Sequence, residues 1–469
     1  ALEDLGDVPL PAFTGGAITL TGGAVGIDGG SLISAGDLTI TPTAGAILAD
    51  NTTLRADGTL TLGATGVLGL TNTTVRAASA SLTVAAGDLS IAGGSVTAAS
   101  GPLAITARDV SFGTSTLAAG GAFTIQASRN LAMTNATLSG QSLTATAAAG
   151  ASITGGTITT IAGLSIGSGG DLAVSNAGLA ASGALALNAT GNLQLATATL
   201  SGASIGLAGA ALSINGGGAT TAGDLTVVAG TAALTLTDAQ LSGGAVSLAG
   251  TGITVSGGGI SSAGALFAQA RTGGVTLGTT QLTAAGALTA TGAGAFAATG
   301  TTIRGGVVSL AGNGLSVSGG GVTSAGELYA QAGGGAVALS STSLAATGIL
   351  TLSTTTSLTA TTTNLTAGTV FVTAGTGAAI TGGSVGSQGG LSLNAGTGAA
   401  AFSNTALSAG STLTVAAATT FAAEATTFSG GDVDIGAGAG ASVTRGAFTS
   451  RGTLSLRGFR GATTLSDTA

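Results

Sequence analysis

Three consecutive stretches of the sequence decide the fold: DGTLTLGATGVLGLTNTTVRA (57–77), ASASLTVAAGDLSIAGGSVTA (78–98) and ASGPLAITARDVSFGTSTLAA (99–119). Each contains three short runs in which apolar and small polar residues alternate, and Gly, Ala, Ser, Thr, Asp or Asn separates the runs. Alternation with a period of two is typical of β-strands. Each stretch is too short for a conventional sheet domain. It therefore predicts one triangular coil of a parallel β-helix, in which every strand pairs with its equivalent one coil away.

The same repeat extends through almost the whole sequence. From Gly15 onward the chain divides into about 22 segments of roughly 20–21 residues. The sequence also has a longer repeat of three coils, which is clearest at 244–305, 306–367 and 368–430. We therefore expect an all-β chain: one parallel β-helix, or β-solenoid, over 15–469, preceded by an extended arm or cap over 1–14.

Alternation also assigns an inside and an outside to each strand, because successive side chains point to opposite faces. The apolar residues of the first strand in each coil are predicted to point inward, and the residue between them outward. We expect stacked aliphatic side chains to fill a narrow interior. The predicted inward pairs are Leu38/Ile40, Leu60/Leu62, Leu82/Val84, Leu103/Ile105 and Phe123/Ile125; the predicted outward column runs Thr83, Ala104, Thr124, Thr144, Ser165, Ala186 and Gly206.

The composition excludes several kinds of chemistry. Of 469 residues, 87 are glycine and only 6% are charged; cysteine, histidine, tryptophan and lysine are absent. Thiolate and imidazole metal sites, Ser-His or Cys-His nucleophiles and lysine Schiff bases are therefore ruled out. We expect no cofactor. A net charge of −7 gives no basic footprint for nucleic acid, and the lack of a long uninterrupted apolar stretch predicts no membrane span.

The repeat resembles a known family. GDLTITPTAGAILADNTTLRA (36–56) and GDLTVVAGTAALTLTDAQLSG (223–243) follow a grammar of G-x-L-x-[LIV]-x-A, then G-x-[LIV]-x-[LIV], then T-x-[LIV]-x-A. This grammar is similar to that of the filamentous-haemagglutinin type of bacterial surface protein. The resemblance implies a right-handed β-helix, secretion to the cell surface, and roles in adhesion, biofilm formation or contact between cells.

Three aromatic residues are predicted to lie at outward positions: Phe267, Tyr329 and Phe371. They stand out on faces otherwise built of Ser, Thr and Ala. Such a set is a candidate contact surface, on which host or cell-surface glycans could stack or a neighbouring fibre could pack. The alternative is that these are single exposed apolar residues, which are common on any protein surface.

The two ends of the chain carry opposite charges, and this suggests self-association into a head-to-tail homopolymer. A heterologous contact between unlike ends propagates as a filament unless it closes into a ring. The alternative is that the N-terminal arm folds back and caps its own first coil. The residues predicted to take part in end-to-end assembly are Glu3, Asp4, Asp7, Phe13, Arg445, Arg451, Arg457 and Arg460.

The acids do not form a catalytic constellation, since most of them stand alone at the start of a strand. The densest group is Asp432 and Asp434, and we expect Asp434 to form an ion pair with Arg457 one coil away. The sequence predicts a non-enzymatic extracellular structural or adhesive β-solenoid, either a bacterial surface adhesin or a subunit of a surface filament. Two alternatives remain open: a carbohydrate-active β-helix enzyme, which needs convergent carboxylates, and an ice-binding solenoid, which needs an unbroken threonine face.

Overall fold

The computed structural model describes residues 13–469. The chain forms two compact units, divided between Gly230 and Thr231. The described residues of both units are built from short parallel strands and turns, without helix. Each unit is a parallel β-solenoid, and the two together hold about 22 coils. The fold class predicted from the alternating runs is therefore confirmed.

One coil of the first unit shows the plan that the others follow. Its three strands are Thr59–Ala64, Leu68–Thr71 and Thr74–Ala77. The first pairs in parallel with Ser79–Val84, the equivalent strand of the next coil, and the second and third find equivalent partners in the same way. We call the three resulting stacks sheet 1, sheet 2 and sheet 3, in the order in which the chain visits them.

In the first unit the strands of sheet 1 are Ile18–Leu20, Leu38–Ile40, Thr59–Ala64, Ser79–Val84, Leu103–Ala107, Ala122–Ala127, Ser142–Ala147, Leu164–Ser168, Ala184–Ala189, Ser204–Gly209 and Leu225–Ala229. Those of sheet 2 are Val25–Asp28, Ile47–Asp50, Leu68–Thr71, Leu89–Ala92, Val110–Gly113, Asn130–Thr134, Gly150–Thr154, Leu172–Ser175, Leu193–Ala196 and Leu212–Asn215. Those of sheet 3 are Phe13–Gly15, Ser31–Ser34, Thr53–Ala56, Thr74–Ala77, Ser95–Ala98, Thr116–Ala119, Thr137–Gly140, Thr157–Thr160, Gly178–Ala181, Thr199–Gly202 and Gly218–Thr221.

In the second unit the strands of sheet 1 are Val246–Gly250, Leu266–Ala270, Ala287–Gly292, Val307–Gly312, Leu328–Ala332, Ile349–Thr354, Thr369–Ala374, Leu391–Ala395, Thr412–Ala417, Asp432–Ala437 and Leu454–Gly458. Those of sheet 2 are Leu234–Thr237, Ile253–Ser256, Val275–Gly278, Phe296–Thr299, Leu315–Ser318, Val337–Ser340, Ala400–Ser403, Phe421–Glu424, Ala441–Thr444 and Thr463–Ser466. Those of sheet 3 are Gln240–Gly243, Gly259–Ser262, Gln281–Ala284, Thr302–Gly305, Gly321–Ser324, Ser343–Ala346, Ala406–Ala409, Thr427–Gly430 and Ala447–Ser450. Two longer strands, Ser357–Ala367 and Gly377–Ser387, serve sheets 2 and 3 together.

The predicted inward residues of sheet 1 are all buried, but one coil is stacked differently from the prediction. Leu82 pairs with Leu62, and Ala80 rather than Leu82 pairs with Leu60. The cause is the connection before the strand, which is the single residue Ala78 here and four residues, 99–102, in the next coil. The strand Ser79–Val84 therefore begins two residues earlier in the register than predicted. The inward side is unchanged, since a shift of two preserves it.

The interior of the second unit changes character near its C-terminal end, where aromatic rings replace aliphatic chains. The ring centroids of Phe402 and Phe421 lie 5.7 Å apart, those of Phe421 and Phe428 5.8 Å, and those of Phe428 and Phe448 5.1 Å. Aromatic pairs at such separations add stabilisation beyond the area they bury. This cluster is the part of the core with the largest side chains.

The corner between sheets 2 and 3 is held by left-handed backbone. Asn72 has φ 48° there, and the buried Thr73 that follows donates its hydroxyl to the Ala49 and Thr71 carbonyl oxygens, each at 2.9 Å. In the next coil the corner is Gly93-Gly94, because a Cβ on Gly94 would lie 2.2 Å from the Thr73 carbonyl oxygen. The non-glycine residues with positive φ are Asn51, Asn72, Thr114, Asn135, Asn176, Thr197, Asp238, Thr279, Ser341, Thr362, Asn404, Ala425, Arg445 and Asp467.

Ala425 is the clearest test of this corner, because alanine has no side-chain group that favours the left-handed region. We expect Ala425→Gly to raise the free energy of unfolding by up to about 1 kcal/mol, since it removes the left-handed penalty of a Cβ. The control is Ala422→Gly, at an exposed position of the preceding strand Phe421–Glu424, which should lower it by about 0.5–1 kcal/mol. Urea unfolding measures both, and equal losses would contradict the strained corner.

Candidate functional site: the outer face of sheet 1 in the second unit

The three predicted outward aromatics lie in one column of sheet 1. The register runs from Phe267 through Thr289 and Ser309 to Tyr329, and on through Thr351 to Phe371. At the spacing between strands of a sheet, the first two aromatics stand about 14 Å apart along the column and the last two about 10 Å. Their exposed fractions are 47%, 38% and 43%, so all three rings are offered to solvent.

A second set of apolar side chains lies beside this column and was not predicted. Two residues before the column positions Thr289, Ser309 and Thr351, on the same side of the sheet, stand Ala287, Val307 and Ile349. Val307 is 39% exposed. The apolar residues therefore zigzag between two columns over six successive coils, in the order Phe267, Ala287, Val307, Tyr329, Ile349 and Phe371. We call the outer positions of these six strands the aromatic face.

Amides and hydroxyls line the other side of the aromatic column. Gln269 follows Phe267 by two residues and Gln331 follows Tyr329 by two, and both glutamines are exposed. The residues of this column, in register, are Gln269, Thr291, Ala311, Gln331, Ser353 and Thr373. The aromatic face thus places hydrogen-bonding groups parallel to its apolar stripe.

A charged residue, Glu327, lies at the edge of the aromatic face, one residue before the strand Leu328–Ala332. Its carboxylate accepts a hydrogen bond from the Tyr329 hydroxyl, and this hydrogen bond, with smaller contributions from desolvation and the negative charge, raises the pKa of Tyr329 above its ordinary value. Between residues 305 and 423 the sequence contains no other charged residue. The six strands of the face therefore carry no charged residue; Glu327 borders them beside the central aromatic, and the exposed Arg271 borders them directly after Leu266–Ala270.

The Tyr329–Glu327 hydrogen bond can be measured directly, because Tyr329 is the single tyrosine and tryptophan is absent. We expect a phenolate absorbance titration of the folded chain to show a midpoint above the ordinary value of about 10. Because folding raises the pKa of Tyr329, the stabilisation from this bond is fully present below the ordinary tyrosine pKa. It is lost as the pH rises through the pKa of the folded chain. In Glu327→Gln the midpoint should fall; an unchanged midpoint would disprove the bond. The urea-unfolded chain gives the reference.

Several aspartates join neighbouring coils. In four cases an Asp carboxylate near the start of a strand accepts a main-chain N–H from the same place one coil later. The pairs are Asp37 with Thr59 at 2.7 Å, Asp109 with Asn130 at 3.0 Å, Asp171 with Asn192 at 2.7 Å and Asp432 with Thr453 at 2.7 Å. The bonds from the Thr453 main chain and side chain lower the pKa of Asp432. A glycine precedes the donor in three of these pairs, and a Cβ on Gly58, Gly191 or Gly452 would lie within 2.4 Å of the carboxylate.

A charge ladder in the first unit shows the same structural use of acids. Arg108 contacts Asp88 at 2.9 Å and Asp109 at 3.5 Å, and Arg129 contacts Asp109 at 3.7 Å. Desolvation raises the pKa of Asp109, but the Asn130 hydrogen bonds and the two arginines outweigh it, so the net pKa is lowered. A shallow recess of about 350 Å³ beside Arg108 is lined by no carboxylate. Among residues 13–469, no group of three acids is placed to hold a metal ion.

The predicted end-to-end residues are only partly described. Arg457 lies 2.7 Å from Asp434, which confirms the expected ion pair, and Arg445 pairs with Glu424. Arg451 and Arg460 are exposed in the last coil. Phe13 begins the strand Phe13–Gly15, which pairs with Ser31–Ser34. Glu3, Asp4 and Asp7 lie outside the described residues, so the head-to-tail contact stays a prediction.

The outward column of sheet 1 in the first unit is mixed. The prediction placed Thr83 in it, which is wrong: Ser81 stands there, because the strand enters two residues early. The column reads Thr19, Thr39, Thr61, Ser81, Ala104, Thr124, Thr144, Ser165, Ala186, Gly206 and Thr226. Alanine, glycine and serine interrupt the threonines, so this column lacks the unbroken threonine face that ice binding requires.

Sheets of short parallel strands around an aliphatic interior, with nearly uncharged outer columns, define a structural β-solenoid. The Haemagglutinin repeat matches residues 12–64, 44–109, 261–369, 365–404 and 387–458, together more than half of the chain. The chain belongs to this family. No match was found among curated proteins or among solved structures.

The family and the fold are those of a surface adhesin-like structural protein. Members of the family are typically extracellular or surface-associated, and the family is of a non-enzymatic adhesin type. Within residues 13–469 there is no helix of the length and apolarity needed to cross a membrane.

Proposed function

We propose that the chain is a non-enzymatic adhesin of a bacterial cell surface, and that the aromatic face makes the adhesive contact. The observation that carries the proposal is the column of Phe267, Tyr329 and Phe371, which forms one apolar stripe with the neighbouring Val307 and Ile349. Contiguous exposed apolar patches mark interaction sites, because exposing them to water is unfavourable. The aspartates described above are engaged in joining coils, which supports a structural and not a catalytic use.

The solenoid suits this role because each strand within a sheet pairs with the equivalent strands of the coils before and after it, and this pairing holds the backbone in place. Thr289, Ser309 and Thr351, the residues between the aromatics, are small, so the aromatic side chains project beyond their neighbours in the column. Side chains on strands are positioned more precisely than side chains on loops. A partner therefore contacts aromatic side chains that are already ordered, so that binding loses little conformational entropy of these side chains.

Adhesion of cells to the immobilised chain tests the proposal. We expect the triple variant Phe267→Ser, Tyr329→Ser, Phe371→Ser to retain at least tenfold fewer cells than the parent, since clustered aromatic anchors dominate binding energies. The control variant is Leu48→Ser, Val67→Ser, Ile161→Ser, which removes three exposed apolar side chains of the first unit and should retain cells like the parent. Equal retention by parent and aromatic variant would refute the proposal.

A further inference from the structure

We propose that Asn51, Asn72 and Asn135 are sites of N-linked glycosylation, and we call them the corner asparagines. Each lies at the corner between sheets 2 and 3 of the first unit. Each also begins the pattern Asn-x-Thr, which ends at Thr53, Thr74 and Thr137. Asn-x-Ser/Thr is the acceptor motif for N-linked sugars and is typical of surface loops in secreted proteins. The inference concerns a covalent modification outside the aromatic face, so it does not depend on the proposed function.

The corner presents both ends of the motif to solvent. The corner asparagines have φ values of 49°, 48° and 53°, in the left-handed region that asparagine visits more readily than most residues. The middle residue of each motif is buried, whereas the asparagine and the threonine are exposed. The acceptor amide and the hydroxyl therefore face outward from a corner whose middle residue is fixed in the core. A transferase reaches both groups without unfolding a coil.

The acceptor amides are not engaged in the fold. Among residues 13–469, no side-chain hydrogen bond to a corner asparagine is present. Other asparagines differ: the amide of Asn130 donates to Asp109 at 2.9 Å, and that of Asn404 donates to Ser403 at 3.1 Å. Removing one partner of a hydrogen bond destabilises a fold, and an exposed amide without such a bond has none to lose. The corner asparagines therefore accept a substituent on Nδ2 with little loss of stability.

The modification transfers a sugar from a nucleotide-linked or lipid-linked sugar phosphate. The Nδ2 atom of asparagine bonds to the anomeric carbon of the sugar, and the bond from that carbon to a phosphate oxygen of the donor breaks. The phosphate group leaves with the electron pair, and the amide nitrogen loses one proton. The cell supplies the donor and the transferase. The chain supplies the acceptor amide and the threonine that the transferase recognises.

Asn176 is a natural control for the corner asparagines. It has φ 51° at the same corner, its side chain is exposed, and the alanine that follows it is buried. In these respects it matches Asn135. Within the motif the two sites differ only at the third residue, which is Thr137 in one and Gly178 in the other. A Cβ on Gly178 would lie 3.6 Å from its nearest neighbours, which is ordinary van der Waals contact, so threonine fits there.

Two further copies of the motif begin inside strands and control for the backbone. Asn188 lies in the strand Ala184–Ala189 and Asn364 in the strand Ser357–Ala367. The Asn364 side-chain oxygen also accepts a hydrogen bond from the Ser384 hydroxyl at 3.0 Å. Residues inside these strands are flanked by neighbouring strands about 4.8 Å away, which restricts the approach of a transferase. We expect these two asparagines to carry little or no sugar.

Mass spectrometry of peptides from the chain, purified from the cells that produce it, tests the proposal. We expect sugar on the corner asparagines and not on Asn176, Asn188 or Asn364. The mass of the attached group distinguishes the donors, because a nucleotide-linked donor adds sugars one at a time and a lipid-linked donor adds a preassembled chain; either mass supports the proposal. Unmodified corner asparagines would overturn it. Equal modification of Asn176 would overturn the requirement for the motif, and equal modification of Asn364 the requirement for the corner.

Three variants made in the same cells complete the test. Thr137→Ala should lose the sugar at Asn135 and Thr137→Ser should retain it, while the other two corner asparagines stay modified in both. Gly178→Thr should gain a sugar at Asn176. Thermal melting curves like that of the parent show that the variants are folded. Sugar at Asn135 in Thr137→Ala, or none at Asn176 in folded Gly178→Thr, would contradict the proposal.

Discussion

Leu82→Asp is expected to unfold the first unit or to drive it into aggregates. Leu82 is fully buried and stacks between Leu62 and Ile105 of the coils on either side. A carboxylate there would have no cation and no hydrogen-bond donor, and burying an unpaired charge is among the few changes that cost more than about 4 kcal/mol. Because each coil is stabilised by its neighbours, the damage should spread beyond one coil.

The adjacent residue provides the control for this experiment. Thr83 lies in the same strand but is exposed, so Thr83→Asp should change the free energy of unfolding by no more than about 0.5 kcal/mol. Circular dichroism spectra and thermal melting curves measure both variants. A native spectrum and melting curve for Leu82→Asp would show that the inward side of this strand has been assigned incorrectly.

Phe428→Ala is expected to lower the free energy of unfolding of the second unit by about 3–5 kcal/mol, the usual cost of removing a buried aromatic side chain. Phe428 is 1% exposed, and its ring stacks on Phe448 and meets Phe402 edge-on at 6.3 Å between centroids. Its removal leaves a cavity inside a stack whose backbone spacing is set by strand pairing. The walls therefore have little freedom to close on it.

Phe371 is the matched residue on the outside of the same unit. With 43% of its surface exposed, Phe371→Ala should change the free energy of unfolding by at most about 0.5 kcal/mol, although it should weaken adhesion. Chemical unfolding followed by circular dichroism compares the two variants. Equal stability losses would contradict the division of this unit's phenylalanines into a structural cluster and a binding column.

The aromatic face was only half predictable from the sequence. Phe267, Tyr329 and Phe371 are identified by alternation, since they replace small residues at outward positions. Val307 and Ile349 have the same outward parity, but nothing local shows that they border the aromatics. Their place depends on which strand lies beside which, and the roles of the glutamines and of Glu327 depend on it too. The signal that could have found these residues is their offset from the aromatic column: each lies two residues before or after a position that aligns with an aromatic.

The coils themselves follow from the residues alone. A period of two fixes which side of a strand faces inward, and a recurring length of about 21 residues brings equivalent strands together, so the interior, the three strands per coil and the scattered acids could all be derived. The alignment between coils could not. Ala80 lies over Leu60 because one short connection starts a strand early, and Asn72 and Ala425 adopt left-handed backbone because their corner must close. These features depend on pairing between residues about a coil apart, where several registers satisfy the same alternation and only the packed stack selects one.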